Sequence, residues 1–217
     1  MTIYTNSGLV IDMQSAVGAA KTLTAISLAA PGVFTGTHDF VAGDIVLLEV
    51  EGMKEVNNNV YQVLSVSTTV SFQLEGVDGV TALDTSLYTA FVSGTAKKIT
   101  LGTSVGGVSN YAPTGGEAKM VDTTTVSDLE DKQIVVGSTA QSYGFEMQWD
   151  PADAAQAAMS AAFTAGTPKA FRIRWIDGRF VLFYGTIGFA NMPGGSTQGV
   201  TTTQCTIALK GGIVAGL

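Results

Sequence analysis

Three stretches of this chain alternate apolar and polar residues with a period of two, and that alternation limits what it can fold into. In "YGFEMQW" (143–149), Tyr143, Phe145, Met147 and Trp149 point one way, and Gly144, Glu146 and Gln148 point the other. "FRIRWI" (171–176) sets Phe171, Ile173 and Trp175 against Arg172 and Arg174, and "TQCTIAL" (203–209) sets Cys205, Ile207 and Leu209 against their neighbours. A period of two is the mark of a half-buried strand. Asp177-Gly178 after the second stretch predicts a type I′ hairpin turn, and "RFVLFYGTI" (179–187) predicts a more fully buried partner strand.

Short apolar runs begin upstream as well. "GDIVLLEV" (43–50), "VYQVLSV" (60–66), "TVSFQLE" (69–75) and "FVSGTAKKI" (91–99) are separated by Gly, Asn, Asp and Ser, the spacing of a small barrel or sandwich. Residues 102–142 read differently, as a long loop or arm that is mobile before assembly: Gly-rich with Pro113 at first, then carrying Asp122, Asp128, Glu130 and Asp131.

One segment predicts a helix, "DPADAAQAAMSAAFTAG" (150–166). Asp150 suits the N-cap, Pro151 the first helical position, and Asp153 the positive end of the helix dipole. Ala155, Ala158, Met159, Ala162 and Phe163 form one stripe, Gly166 suits the C-cap and Pro168 prevents continuation, which gives about four turns. The small residues of the stripe let the helix brace a sheet closely.

Composition narrows function. Charged residues make up 13% of the 217, about half of the ~25% usual for soluble domains, and threonine outnumbers Asp and Glu together. Such a weakly charged β surface points to an assembly in which neighbours cover much of it. The net charge of −7 disfavours a grip on nucleic-acid phosphates. The basic cluster Arg172, Arg174 and Arg179 reads as a solvated or subunit-contacting strand face.

Catalysis finds no purchase. His38 is the single histidine, which excludes histidine triads and multi-histidine metal sites, and it reads as fixing a turn. Cys205 is alone and reads as a small core residue. The acids near 128–131 lack calcium-loop spacing, "PTGGEAK" is no phosphate loop, and Asp150 with Asp153 is explained by the helix start. No catalytic, metal or cofactor site is expected. The start, "MTIYTNSGLVIDMQ", has no leader-like apolar region, and no run is long enough for a membrane span.

The succession from "MVDTTTVSDLEDKQIVV" through the strand ending in "WDP", the helix, "KAFRIRWIDGRFVLFYG" and the last threonine-rich strand, residues 120–212, resembles the major tail tube proteins of long-tailed (siphovirus-type) bacteriophages. Residues 21–99 are similar to a small β-barrel module inserted in many phage structural proteins, related in pattern to a barrel of ubiquitin-activating enzymes. "THDF" departs from it where the module more often has a glycine after the histidine.

The resemblance implies a mainly β fold: a tail-tube-type β-sandwich or barrel from residues 1–20 and 100–217, with one short flanking helix and the 21–99 barrel on its outside, dispensable for tube formation. It further implies hexameric rings that stack into the tube for DNA ejection, assembled in the bacterial host cytoplasm and resident in the virion tail. The implied partners are further copies of the chain, the tape measure protein, the tail terminator and distal tail proteins, with DNA passing through the lumen unbound. Asp122, Asp128, Glu130, Asp131, Arg172 and Arg174 are the inter-subunit and stacking residues this suggests. The alternatives are a contractile-tail or type VI secretion-like tube, and a glycan-binding surface module. The last needs an exposed aromatic platform, whereas Trp149 and Trp175 sit on apolar strand faces where core packing is expected.

Overall fold

The computed structural model describes residues 8–76 and 79–216. The first seven residues, read above for a leader, and Val77 and Asp78 of the turn after the third upstream run lie outside the described residues, as does Leu217.

The chain is mainly β, with one helix and sixteen strands among the described residues. The strands are β1 (Val10–Val17), β2 (Lys21–Leu23), β3 (Ala25–Ile26), β4 (Phe34–Thr35), β5 (Ile45–Glu51), β6 (Val60–Ser67), β7 (Ser71–Leu74), β8 (Ser93–Ser104), β9 (Val108–Thr114), β10 (Ala118–Asp122), β11 (Gln133–Ser138), β12 (Ser142–Gln148), β13 (Lys169–Arg174), β14 (Phe180–Phe189), β15 (Thr202–Leu209) and β16 (Val214–Gly216). All but β10 and β11 belong to one antiparallel sheet, ordered β3-β4-β7-β6-β5-β8-β1-β13-β14-β15-β12-β9, with β2 added to β8 and β16 to β14.

The upstream half of this order closes on itself. β8 pairs with β5 on one side and β2 on the other, and β2 runs on through Thr24 into β3, which pairs with β4. Closure removes the edges that a short open sheet would expose. Phe34, Phe40 and Phe72 fill the barrel with ring centroids 5.3 to 5.5 Å apart. His38 completes this cluster, 5% exposed, its Nδ1 accepting the Phe40 N–H at 3.2 Å, so the histidine does fix the local turn.

No break separates this barrel from the rest. β8 is twelve residues long: its first half pairs with β2 and β5 and its second with β1. The apolar cluster of the barrel continues into Ala170, Phe180, Leu182, Tyr184 and Val214. Asn59 adds a polar tie, donating to Glu55 O at 2.9 Å while its Oδ1 accepts the Gly212 N–H at 2.5 Å.

A second core lies on the other face of the same strands. Ile11, Met13, Phe145, Met147, Phe171, Ile173, Phe183, Ile187, Phe189, Cys205 and Ile207 form it, with Tyr143 stacked on Phe183 at 4.7 Å and Phe171 on Phe183 at 5.6 Å. Burial pushes the Cys205 thiol up to about 12. Between the cores, Arg172 donates to Asp12 Oδ2 at 2.7 Å, and Gln14 Oε1 accepts the Ala170 N–H at 3.0 Å.

The helix, α1 (Ala154–Ala165), is shorter than the sequence suggests and starts later. Its N-cap is Asp153, whose Oδ1 accepts the Gln156 N–H at 2.9 Å. Asp150 instead closes a turn, accepting the Ala152 N–H at 2.9 Å, so Asp150 and Pro151 precede the helix. Gly166, at φ 62, ends it as expected, with the Thr167 N–H donating to Ala162 O at 3.0 Å. Ala155, Met159 and Ala162 face the second core, joined by Gln156, while Phe163 is 43% exposed. Gln156 is buried because its amide is spent on the chain entering the helix: Nε2 donates to Gln148 O at 2.7 Å and Oε1 accepts the Asp150 N–H at 3.1 Å.

Three other expectations change. Trp149 lies past the end of β12, free of the alternation, and is 42% exposed. The turn between β13 and β14 has positive φ only at Gly178, and Trp175 N–H donates to Arg179 O at 2.9 Å. It is therefore a three-residue loop with glycine in the left-handed region, not a type I′ turn. Residues 102–142, expected as a long loop or arm, carry the end of β8, then β9, and an arm made of β10 and β11.

The continuous core alters the expected outcome of deleting residues 21–99. The deletion uncovers Phe180, Leu182, Tyr184 and Val214, and the remainder is expected to aggregate on expression. Recovery of a soluble, cooperatively folding remainder at the yield of the full chain, read by size exclusion and thermal melting, would show that the shared core is dispensable.

Candidate assembly interface

Four strand segments define a surface distinct from both cores. β9, β12, β15 and the second half of β14 are consecutive neighbours, in register as three rows: Asn110–Glu146–Gln204, Ala112–Gly144–Thr206–Gly188, and Thr114–Ser142–Ala208–Thr186. Alternation sends Phe145, Met147, Cys205, Ile207, Ile187 and Phe189 to the second core, so these rows face away from it. The rows hold small and uncharged polar residues and one charge, Glu146. Such a face binds nothing strongly and repels anions weakly.

Both sides of this segment are open to further pairing. β9 is the terminal strand of the order. The β13 ladder on β14 stops at Gly185, which leaves Thr186–Phe189 with β15 on one side and no strand on the other among the described residues. A cleft of about 380 Å³ lies along the first half of β9, walled by Leu9, Ile11, Val105 and Val108.

The arm leaves the same segment at the end marked by Thr114 and Ser142, whose hydroxyls are 2.6 Å apart. Gly115 and Gly116 turn the chain there at φ 83 and 84, and a Cβ on Gly115 would meet Ala140 O at 1.9 Å, so only glycine fits. Every residue of β10 and β11 is exposed. Register puts Met120 beside Val135 and Val121 beside Ile134, on opposite faces. The arm is thus apolar on both sides, and Val126 and Leu129 at its tip are fully exposed. A lone two-stranded ribbon is marginal in water, and an exposed apolar patch of this kind marks a contact surface.

The tip acids divide. Asp122 accepts the Thr124 N–H at 2.8 Å, and its pairing with Thr124 holds its carboxyl below the usual range. Asp128 is lowered first by Lys132, then by the Thr125 N–H and hydroxyl, both at 2.8 Å from Oδ2. These two shape the tip, while Glu130 and Asp131 are exposed on it. Of the arginines, Arg172 is tied to Asp12 and Arg174 is exposed at the end of β13. The structure therefore does not gather the six sequence-nominated residues into one place. The sequence reading weighed the arm's acids and passed over its apolar residues; the signal was the Met-Val and Ile-Val-Val flanking "DTTTVSDLEDKQ". The polar rows were signalled by Gly144, Glu146 and Gln148.

Depressed carboxyls make tip order pH-dependent. The stabilisation is present above the ordinary carboxylate range and is lost as pH falls through the lowered values of Asp122 and Asp128. Protection of the Thr124 and Thr125 amides, taken relative to the intrinsic exchange rate at each pH, is expected to hold at pH 5 and to fall in stronger acid; Asp128→Ala should lower it at Thr125 and leave Thr124, which Asp122 holds. Equal protection of Thr125 in both proteins at pH 5 contradicts the assigned role.

Two comparisons with known proteins bear on this geometry. The comparison with curated proteins returns no match. Residues 51–215 match a family described as phage tail tube protein, TTP. That range holds the second half of the barrel, the arm, the helix and the whole four-strand segment, and on this match the chain belongs to the phage tail tube protein family.

Proposed function

We propose that this structural subunit of the phage tail forms closed hexameric rings, which stack into the tube through which DNA is ejected. The observation that carries the reading is the four-strand segment: buried on one face, uncharged except for Glu146 on the other, and open to pairing at both sides. Joining β9 of one copy to the second half of β14 in the next continues the sheet around a closed wall and removes its edges. The polar rows then line the lumen. Glu146 contributes one carboxylate per copy, a wall that repels phosphates and offers few donors for them to stick to.

The arm supports stacking of one ring on another, since apolar residues on both faces need covering on both. Within it Glu130 and Asp131, and on β13 Arg174, are the charged residues placed to meet a neighbour; Asp122, Asp128 and Arg172 serve from within. Residues 21–99 form an outward barrel in this reading, with 1–20 and 100–217 as the tube domain. The partners are the tape measure protein in the lumen and the terminator and distal tail proteins at the ends. Assembly takes place in the host cytoplasm, and the subunit has no catalytic role.

Negative-stain electron microscopy of the purified protein at high concentration is expected to show six-fold rings or hollow tubes. A protein that stays monomeric at every concentration and salt condition tried would sink the reading. Glu146→Lys should leave tubes intact, because the side chain is outside both cores, yet cut infectivity by at least about tenfold, as a lysine-lined lumen holds phosphates. Full infectivity of tails built from that variant removes these rows from the lumen.

A further inference from the structure

The arm leaves one end of the four-strand segment, and a small pocket of mixed lining, with Trp149, Pro151, Ala157 and Phe189 beside Gln156, Ser160 and Asn191, sits at the other. β12 runs from Ser142 at the arm end to Gln148, and β9 runs oppositely, with Gln148 N–H donating to Gly107 O at 2.9 Å. Beyond Gln148, Trp149 and Phe189 wall a cavity of about 190 Å³ whose floor and rim include Ala157 and Ser160 of α1, and Asn191. Trp149 reaches it because its backbone N–H donates to Thr201 O at 2.9 Å, which holds the residue beside the start of β15. Ser160 donates to Asn191 Oδ1 at 2.9 Å, which fixes the far rim.

We infer that the Trp149 pocket receives the arm tip, Val126 or Leu129, of a second copy stacked end to end. This rests on the tube reading, and four observations select the occupant. Membership of the tail tube family makes further copies of the chain the neighbours available. Stacking by translation along the strands brings the arm end of one copy to the pocket end of the next, which makes the interface continuous with the four-strand wall. The tip supplies the two most exposed large apolar side chains on the arm, and the pocket supplies a tryptophan that is 42% exposed. The contact is heterologous, a patch on one end meeting a different patch on the other, the kind that propagates as a filament and does not stop at a dimer. It also accounts for the position of Trp149, which the strand alternation would have buried.

A disulfide test separates this contact from the tube reading. Leu129→Cys combined with Asn191→Cys places one thiol at each end of every chain, while Cys205, buried and with its thiol pushed up to about 12, stays silent. Oxidised tubes are expected to run on non-reducing gels as a ladder extending well past the dimer, with either single variant giving no ladder. Tubes that form normally yet give no ladder, or dimers alone, overturn the pocket assignment and leave the tube reading standing. Absence of tubes from the wild-type protein strikes the tube reading itself. As a second measurement, Trp175→Phe leaves Trp149 as the sole tryptophan, and its emission is expected to shift to the blue on polymerisation. Leu129→Asp should raise the critical concentration for tube growth by about tenfold or more, and Leu129→Met should restore it. An unshifted emission, or unchanged growth in Leu129→Asp, counts against the contact.

Discussion

One strand, β14, is apolar on both faces, and the rest of the arrangement depends on it. Phe180, Leu182 and Tyr184 face the barrel core, and Phe183, Ile187 and Phe189 face the second. Covering one face alone would leave three large side chains in water, at about 1.5–3 kcal/mol each. The barrel is thus a required cover for one side of β14, just as the helix, β12 and β15 supply cover for the other. The strand also changes neighbours along its length, from β13 and β16 at Phe180–Leu182 to β15 from Gly185 onward. Gly185 sits at that change, where a Cβ would meet Ala208 O at 2.4 Å. By shifting partners there, β14 gives its second half to the four-strand wall while its first half stays in the packing between the cores.

Much of this was legible because alternation survives any tertiary context that keeps one face dry. β12, β13 and β15 fall where "YGFEMQW", "FRIRWI" and "TQCTIAL" put them, Cys205 is buried, and "RFVLFYGTI" is the doubly covered strand. The misreadings have local causes. In "DPAD" two aspartates compete for one cap; Asp150 closes a turn of its own, and the cap passes to Asp153. Trp149 continues the alternation in sequence, but β12 has already ended, so parity no longer tells its direction. Residues 102–142 read only as a long loop or arm because glycine and threonine surround the apolar residues that pair across β10 and β11. The continuity of β8 through residues 99 and 100 could not be read at all, since its two halves answer to partners far apart in the chain, β1 and β5.

The scarcity of charge also finds a physical place. The rows headed by Asn110, Ala112 and Thr114 carry one carboxylate among eleven residues, and the arm presents valine, isoleucine and methionine on both faces. A monomer gains nothing from either surface: the first forgoes solubilising charge, the second exposes apolar area. A face of the first kind suits weak contact with a polyanion, and apolar area of the second kind suits burial against another surface. The charges that are present are largely committed within the chain, as in Arg172 with Asp12, Lys97 with Glu49 at 2.6 Å and Lys98 with Asp44 at 2.6 Å.

The arm also sets a condition on growth. Among the described residues, its five- and six-residue strands pair only with each other, with no third strand and no core beneath them, so its order is weakly supported. If only a fraction of free subunits holds the arm in its docking form, the apparent affinity for stacking falls by that fraction. The Trp149 pocket needs no such ordering, because the α1 and β14 residues that line it belong to the folded framework of the second core. Gly115 and Gly116, at φ 83 and 84, set the direction in which the arm leaves the sheet.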